Sequence, residues 1–537
     1  MSIIPRAFLL ATLPFIIGAS DAPADIITPE AMRAHVEFLA SDSLEGRETG
    51  TRGYDIAAEY VATRFRAMGM QPMSDKGWFQ QVPFNANLND EKAAKFSING
   101  REFALRQDVR FGPARKAGTE IIEGEVIFAG FGIDDPKNGQ NDYKGIDAKG
   151  NIVAVLSGFP KGMASDIGAH YGRSKVNMAE ARGAIGVITI RTLETERTRP
   201  WAQNLNDPQH PSMAWAMPDG SSFAEAPAIR FSAQLGDVAA DALFATAPKK
   251  LAAILAEADK DKGRPKGFKL KANAKIERTT SSNTVTSPNV IGMIPGSDPT
   301  LAGEYVLLMA HLDHNGVEAT KEGDKIFNGA MDNASGTATL LEAARALASG
   351  PKPRRTVIFA AVTAEERGLL GSDYLARNPL TAGGKVVAVV NLDMPILLYD
   401  FQDVVAFGAE HSTMGAAVAR AAATQGVGLS PDPIPAEGIF TRSDHYSFVR
   451  QGVPSVFLIT GFKNGGEQQF QNFLKTHYHK VTDDLALPFD WNAAAKFARL
   501  NTAIAAEIAN APAAPMWYSD SFFGNVFTPN APKAKRP

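Results

Sequence analysis

Two adjacent glutamates, Glu365 and Glu366, follow the apolar run 357–362 and precede Gly368. Successive residues at a strand end point in different directions. One carboxylate can therefore face a metal while its neighbour faces a water on that metal, a division of labour used in metal-assisted hydrolysis. Other residues of ligand type stand at the ends of apolar runs. His311-Leu312-Asp313 follows 305–310, Asp332 sits in the turn 329–336, and Asp393 closes 386–392. His477-Tyr478-His479 comes late, ahead of Asp483 and Asp484. Two histidines, three carboxylates and no cysteine suit two zinc ions sharing one bridging carboxylate, each ion keeping an open position for water. A lone His or Asp at a strand end is ordinarily structural. Five such positions within one domain reverse that reading.

These residues need a scaffold that gathers strand ends, and the pattern around them supplies one. From Asn289 onward strand and helix signals alternate: strands at 305–310, 356–362 and 386–392, helices at 337–347, 369–376, 411–423 and 491–511. The run 305–310 is continuously apolar, as expected of a strand buried on both faces. Alternation of this kind predicts an α/β fold, a mixed, mostly parallel sheet flanked by helices, with ligands at the carboxyl ends of its strands. Earlier in the chain, Thr28-Pro29-Glu30 reads as a helix start. Met32, His35, Val36 and Leu39 recur at helical spacing, and a second helix is expected over 54–68. Residues 119–265 change character, with short strands near 126–132, 151–156 and 186–190 and a helix from 175 to 183. His170 and His210 fall there in expected loops and read as surface histidines. The polar, Lys-rich stretch 266–285 reads as a strand edge or connector.

At 537 residues the chain exceeds one compact core. It is 45% hydrophobic, and its net charge of −3 gives no reason to expect nucleic acid or an anionic membrane as partner. With no cysteine there are no disulfides, no thiolate ligands and no thiol nucleophile. The start of the chain has the layout of a secretory signal peptide: Arg6, an apolar stretch at 7–18, then Gly18-Ala19-Ser20. The organisation expected is a signal peptide at 1–24, the first part of a catalytic domain at 25–118, an inserted β-rich module at 119–265, the main catalytic part at 266–511, and a tail at 512–537. A periplasmic or secreted protein, free of the membrane after cleavage, follows.

The chain resembles the M28 family of zinc peptidases, in its aminopeptidase branch with an inserted protease-associated domain. The resemblance rests on Ala310-His311-Leu312-Asp313-His314, on Asn328-Gly329-Ala330-Met331-Asp332-Asn333-Ala334-Ser335-Gly336, and on Glu365-Glu366-Arg367-Gly368-Leu369-Leu370-Gly371-Ser372. It rests also on Asn391-Leu392-Asp393-Met394, Ser443-Asp444-His445 and Tyr478-His479, and on Leu39-Ala40-Ser41-Asp42 with Leu44-Glu45-Gly46-Arg47. It implies that His311 and Asp393 hold one zinc, Glu366 and His479 the other, and that Asp332 bridges them. Glu365 is then the general base acting on a water shared by the metals. Asp313 accepts the second ring N–H of His311, Tyr478 stabilises the developing oxyanion, and Arg442 contacts substrate. A cis peptide is implied between Asp332 and Asn333, and Met331 departs from the acidic residue frequent at that place. His314, His477 and His445 exceed what two metals need.

The activity implied is removal of N-terminal residues from peptide substrates. A carboxypeptidase or dipeptidase on the same two-zinc site is the alternative, and it would want a basic cluster for the free carboxylate. In sequence only Arg442 and Arg367 stand close by, while Glu365, Glu366 and Asp393 suit a substrate ammonium. A non-catalytic binding protein on the same scaffold would have lost ligands or the base, and none is missing.

Overall fold

The structure, a computed structural model, describes residues 26–73, 75, 77–205, 211–380 and 383–537. The expected signal peptide and His210 lie outside the described residues. Helix α1 (Pro29–Leu39) starts as its sequence predicts. Thr28 accepts a hydrogen bond from the Ala31 backbone at 3.2 Å, and Pro29 takes the first helical position, where its missing N–H costs nothing. Helix α2 (Arg52–Ala67) is capped by Thr51 and buries Tyr54, Val61 and Phe65.

A second core lies apart from the first. Its strands Gly118–Phe128, Ile152–Leu156, Gly186–Ile190 and Phe231–Leu235 run parallel in that order. This core takes in Phe96, Ile98, Phe103 and Val109 ahead of residue 119 and Leu270, Ala272, Ala274 and Ile276 beyond residue 265. Strand pairing is the reason: Lys95–Ile98 pairs with the long strand at 268–294, and Val109–Phe111 pairs with Phe231–Leu235. Helix α3 (Ser165–Ala181) begins well before residue 175. Gly168 and Gly172 dilute the helical pattern there, since glycine is a poor helix former. His170 is consequently a buried helical residue, not a surface one, and its Nδ1 lies 2.6 Å from the Tyr446 hydroxyl.

The stretch expected as a connector is the first half of β1 (Phe268–Ile294). Leu270, Ala272, Ala274 and Ile276 alternate with polar residues, and only the alternating set is buried, as on a strand with one covered face. β1 continues into the first core, antiparallel to β3 (Thr356–Val362). Between them in sequence, β2 (Glu304–His311) and helix α4 (Gly336–Ser349) come first. Helix α5 (Leu370–Arg377) follows β3, then β4 (Lys385–Asn391), β5 (Ser455–Thr460) and helix α6 (Trp491–Asn510). β2 sits between β3 and β4, parallel to both, and β4 runs parallel to β5. α1, α4 and α6 cover one face of this sheet, and α5 with the turn of helix at His445–Val449 covers the other. Every residue of β3 is buried. At about 1.5–3 kcal/mol for each large apolar side chain, Val357, Ile358, Phe359 and Val362 anchor the strand whose end carries the glutamate pair. Residues 512–537, expected as a tail, pack onto the body. Trp517 and Phe523 are buried, and the helix Phe522–Phe527 meets both His170 and His411 edge-on.

Candidate metal centre

The parallel register sets the site. His311 is the last residue of β2, Glu365 and Glu366 follow β3, and Asp393 follows β4, so adjacent strands in one register deliver four groups to one edge. Asp332 comes from the turn Ala330–Ser335 that leads into α4, and the Asp332–Asn333 peptide is cis. Asn333 ties this turn to the end of β4. Its Oδ1 accepts from the backbone N–H of Gly336 at 3.0 Å and of Met394 at 3.1 Å, and its Nδ2 donates to the Leu392 carbonyl at 3.0 Å. The close approach explains Gly336. A Cβ there would lie 2.1 Å from Asn333 Oδ1 and 2.5 Å from the Leu392 oxygen.

Asp332 directs one oxygen to each side. Its Oδ1 is 3.3 Å from His311 Nε2, and its Oδ2 is 3.3 Å from His479 Nε2. Asp393 Oδ1 lies 3.2 Å from the same His311 nitrogen, and Glu366 Oε2 lies 3.1 Å from the same His479 nitrogen. Two nitrogen-and-oxygen groups thus share one carboxylate. His314 enters the second group as well, with Nδ1 2.6 Å from Glu366 Oε1. His311 and Asp332 are buried, the Glu366 side chain is 4% exposed, and the His479 side chain is 41% exposed at the rim. This donor set, all nitrogen and oxygen with one bidirectional carboxylate, fits two divalent cations of the zinc type.

The electrostatics carry the mark of uncompensated acid. Burial pushes the Glu365 carboxyl well above the usual carboxylate range, with Glu366, Asp444 and Asp393 adding to the rise and His311 opposing it. Burial works against charge on His311, yet Glu365, Asp393 and Asp332 outweigh it and hold its pKa well above the usual imidazole value. Asp332 goes the other way: burial raises it, but hydrogen bonds from His311 and His479 take it well below the normal range. Strongly perturbed groups of this kind, gathered in a cleft, mark functional sites.

Asp313 does a different task from the one expected. His311 Nδ1 lies 3.2 Å from the Asp313 backbone oxygen and 4.0 Å from its carboxylate. The carboxylate instead accepts the backbone N–H groups of Glu365 at 3.0 Å and Glu366 at 3.3 Å, and the Thr49 hydroxyl at 3.3 Å. It therefore shapes the turn that carries the glutamate pair. Tyr478 stacks on His479, with ring centroids 3.8 Å apart. Arg442 donates to Glu437 at 2.8 Å. These residues, with Met394, Ile439, Phe457, Ile459, Phe470 and Leu474, wall a cavity of about 170 Å³ beside the metal-ligand set. Met331 is buried and offers its sulfur to the Leu397 N–H at 3.3 Å, a packing role. His477 is held by Thr482, and His445 is buried between Phe440 and Phe457.

Several further residues support the site in roles that their sequence context did not assign. Asp483 accepts from the backbone of Met331 at 2.8 Å and Asp332 at 3.0 Å, and burial pushes its carboxyl up to about 7. Ser443 donates to Asp393 Oδ2 at 2.5 Å. Arg47 is fully enclosed and donates to the carbonyls of Leu312, Asn328 and Gly329 at 2.7–3.0 Å, fastening the turn before α2 to two site loops. Arg173 on α3 brings a cation near Tyr446, Arg442 and Glu365. A sequence separation of 50 residues for Ser443 and Asp393, and of more than 100 for the others, hides such partners from any local pattern.

Residues 289–505 match the model of Peptidase family M28. Over 265 residues the chain is 28% identical to a "probable zinc metalloprotease" of Pyrenophora tritici-repentis, covering 43% of this chain and 53% of that one. It is 39% identical over 112 residues to a protein of the same description from Pyrenophora teres f. teres, covering 20% and 23%. The chain thus spans about a quarter to a half of the length of the curated relatives it matches. Among solved structures, the aminopeptidase from Aneurinibacillus sp. strain AM-1 aligns over 92% of this chain and 96% of its own, with a TM-score of 0.51 and 19% identity. That likeness establishes the shared fold.

Proposed function

Because the domain at residues 289–505 belongs to peptidase family M28, we propose that this chain is an exported zinc-dependent aminopeptidase that removes N-terminal residues from peptides. The observation that carries the reading is the pair of ligand groups sharing Asp332, with Glu365 held beside them. His311 and Asp393 would hold one zinc, Glu366 and His479 the other, and Asp332 both. His479 is preferred to His314 because its Nε2 faces one oxygen from each carboxylate, whereas His314 clasps the other oxygen of Glu366. When bound, the ions supply Lewis acidity toward the scissile carbonyl and lower the pKa of attacking water. Glu365 takes the proton from that water and returns it to the leaving amine. Asp313 and Ser443 keep Glu365, Glu366 and Asp393 in place, and Tyr478, which lines the cavity, would stabilise the developing oxyanion through its hydroxyl.

The choice of chain end rests on the walls. The cavity is small and mostly apolar, sized for one side chain, and its acidic edge suits an ammonium group. Arg442 is already engaged by Glu437. One observation favours the dipeptidase or carboxypeptidase alternative: Arg173 adds a second cation near Arg442, and two guanidinium groups could meet a free carboxylate. Turnover of aminoacyl-p-nitroanilides, abolished by chelator and restored by Zn²⁺, is the expected result. Activity confined to N-blocked peptides would overturn the aminopeptidase reading. Glu365→Gln should keep both zinc ions and lose at least about a hundredfold in kcat; retained activity would remove Glu365 as the base.

Export of the protein follows from the leader-like start of the chain. Among the described residues no helix is long and apolar enough to cross a membrane. Periplasmic fractionation with N-terminal sequencing of the mature protein tests export.

A further inference from the structure

A larger cavity, about 1080 Å³, opens between the second module and the catalytic core. Glu437 and Ile439 belong to its wall and also to the wall of the small cavity beside the metal ligands. The α3 helix closes it from the other side. Asp166 on α3 lies 2.8 Å from His411, and one turn on, Ala169 sits against Gly438. An N-terminal residue has no chain before it. Once its side chain fills the small apolar pocket, the rest of the peptide must leave along an open wall, and the wall shared through Glu437 and Ile439 leads into the larger space.

The charges of this cavity are unequal. Lys161 is matched by Asp259 at 2.9 Å and Glu194 at 3.6 Å, and Arg197 pairs with the same two carboxylates. Glu437 is matched by Arg442. That leaves Glu410 and Asp432 beside the Asp166–His411 pair, with Arg199 as the remaining lining cation. Glu410 is exposed, so a ligand can reach it.

We infer that this inter-module cavity is the subsite for the part of the peptide downstream of the cleaved bond, and that it selects cationic side chains there. The inference rests on the aminopeptidase reading and goes further by naming the substrate class, peptides with lysine or arginine shortly after the removed residue. The second module thereby builds half of a specificity site instead of standing apart from catalysis. Glu410 and Asp432 supply the attraction, and neither touches the reacting atoms.

The test compares peptides that share the N-terminal leucine and differ only in Lys or Glu at the second and third residues after the cleaved bond. Leucine p-nitroanilide, which has no downstream chain, is the reference. With two partly screened carboxylates, kcat/KM should favour the Lys peptides by about fivefold or more, and added salt should shrink the ratio. The double variant Glu410→Gln, Asp432→Asn should bring the ratio close to one and leave anilide turnover unchanged. A wild-type ratio near one, or a ratio the double variant does not move, overturns the inference while anilide turnover upholds the peptidase reading. Loss of anilide turnover in the zinc-loaded wild type would instead overturn that reading and the inference with it.

Discussion

Replacing Asp313 by asparagine tests how the glutamate pair is held. The wild-type carboxylate is fully buried and offers one oxygen to the Glu365 N–H at 3.0 Å and the other to the Glu366 N–H at 3.3 Å. An amide has the same shape but only one acceptor. Whichever way it turns, one backbone N–H faces an NH₂ group. Losing a hydrogen bond to a charged acceptor costs about 1.5–3 kcal/mol. At about 1.36 kcal/mol per tenfold, kcat should fall by about 10- to 100-fold. Global stability should change less, because burial pushes the Asp313 pKa up and a neutral amide recovers part of that desolvation cost. The assay is steady-state kinetics on an aminoacyl-p-nitroanilide at saturating Zn²⁺, with metal content read on the same preparation. Thr49→Val, which removes only the 3.3 Å hydroxyl contact, is the control and should cost little. Asp313→Asn activity within about threefold of wild type would refute the positioning argument. So would a variant that loses zinc yet regains full kcat when zinc is supplied, since that outcome places Asp313 behind His311.

Gly336→Ala should strip zinc and activity together, because its Cβ would force apart Asn333 and Leu392; overpacking of this sort costs about 1–3 kcal/mol. Metal content equal to wild type would contradict the account of that turn. Burial, with Arg450 adding to it, lowers the His170 pKa from 6.5 to about 4. The unfolded chain therefore takes up a proton that the native state refuses. The stability held above pH 6.5 is lost as pH falls toward 4, by roughly 3 kcal/mol in all. Urea titrations of His170→Gln should show a shallower acid limb than wild type, and an unchanged slope would show that His170 does not set it. Phe523→Ala should lower stability by about 3–5 kcal/mol, because its ring is fully buried against His411 and Phe440; a loss under about 0.5 kcal/mol would mean that the C-terminal segment is not docked.

The sequence alone was enough to mark the central sheet and its edge. Runs such as 305–310 and 356–362 are apolar on both faces, and the alternation of strand and helix leaves few arrangements in which such runs lie parallel. Ligand-type residues at the ends of those runs then fall on one edge, which is why Glu365, Glu366, His311 and Asp393 could be grouped before any geometry was known. Where the pattern was diluted, local reading fell short. Gly168 and Gly172 hid the first half of α3, and the lysines of 266–285 masked a strand whose alternate residues are buried. What only the tertiary structure decided is who stands behind the ligands and what faces them. Asp313 takes backbone N–H groups instead of the His311 ring, Asp483 and Ser443 hold Asp332 and Asp393, and α3 closes a cavity over residues 435–441. Those contacts join residues distant in sequence, and a hydrogen bond depends on a few tenths of an ångström that periodicity does not encode.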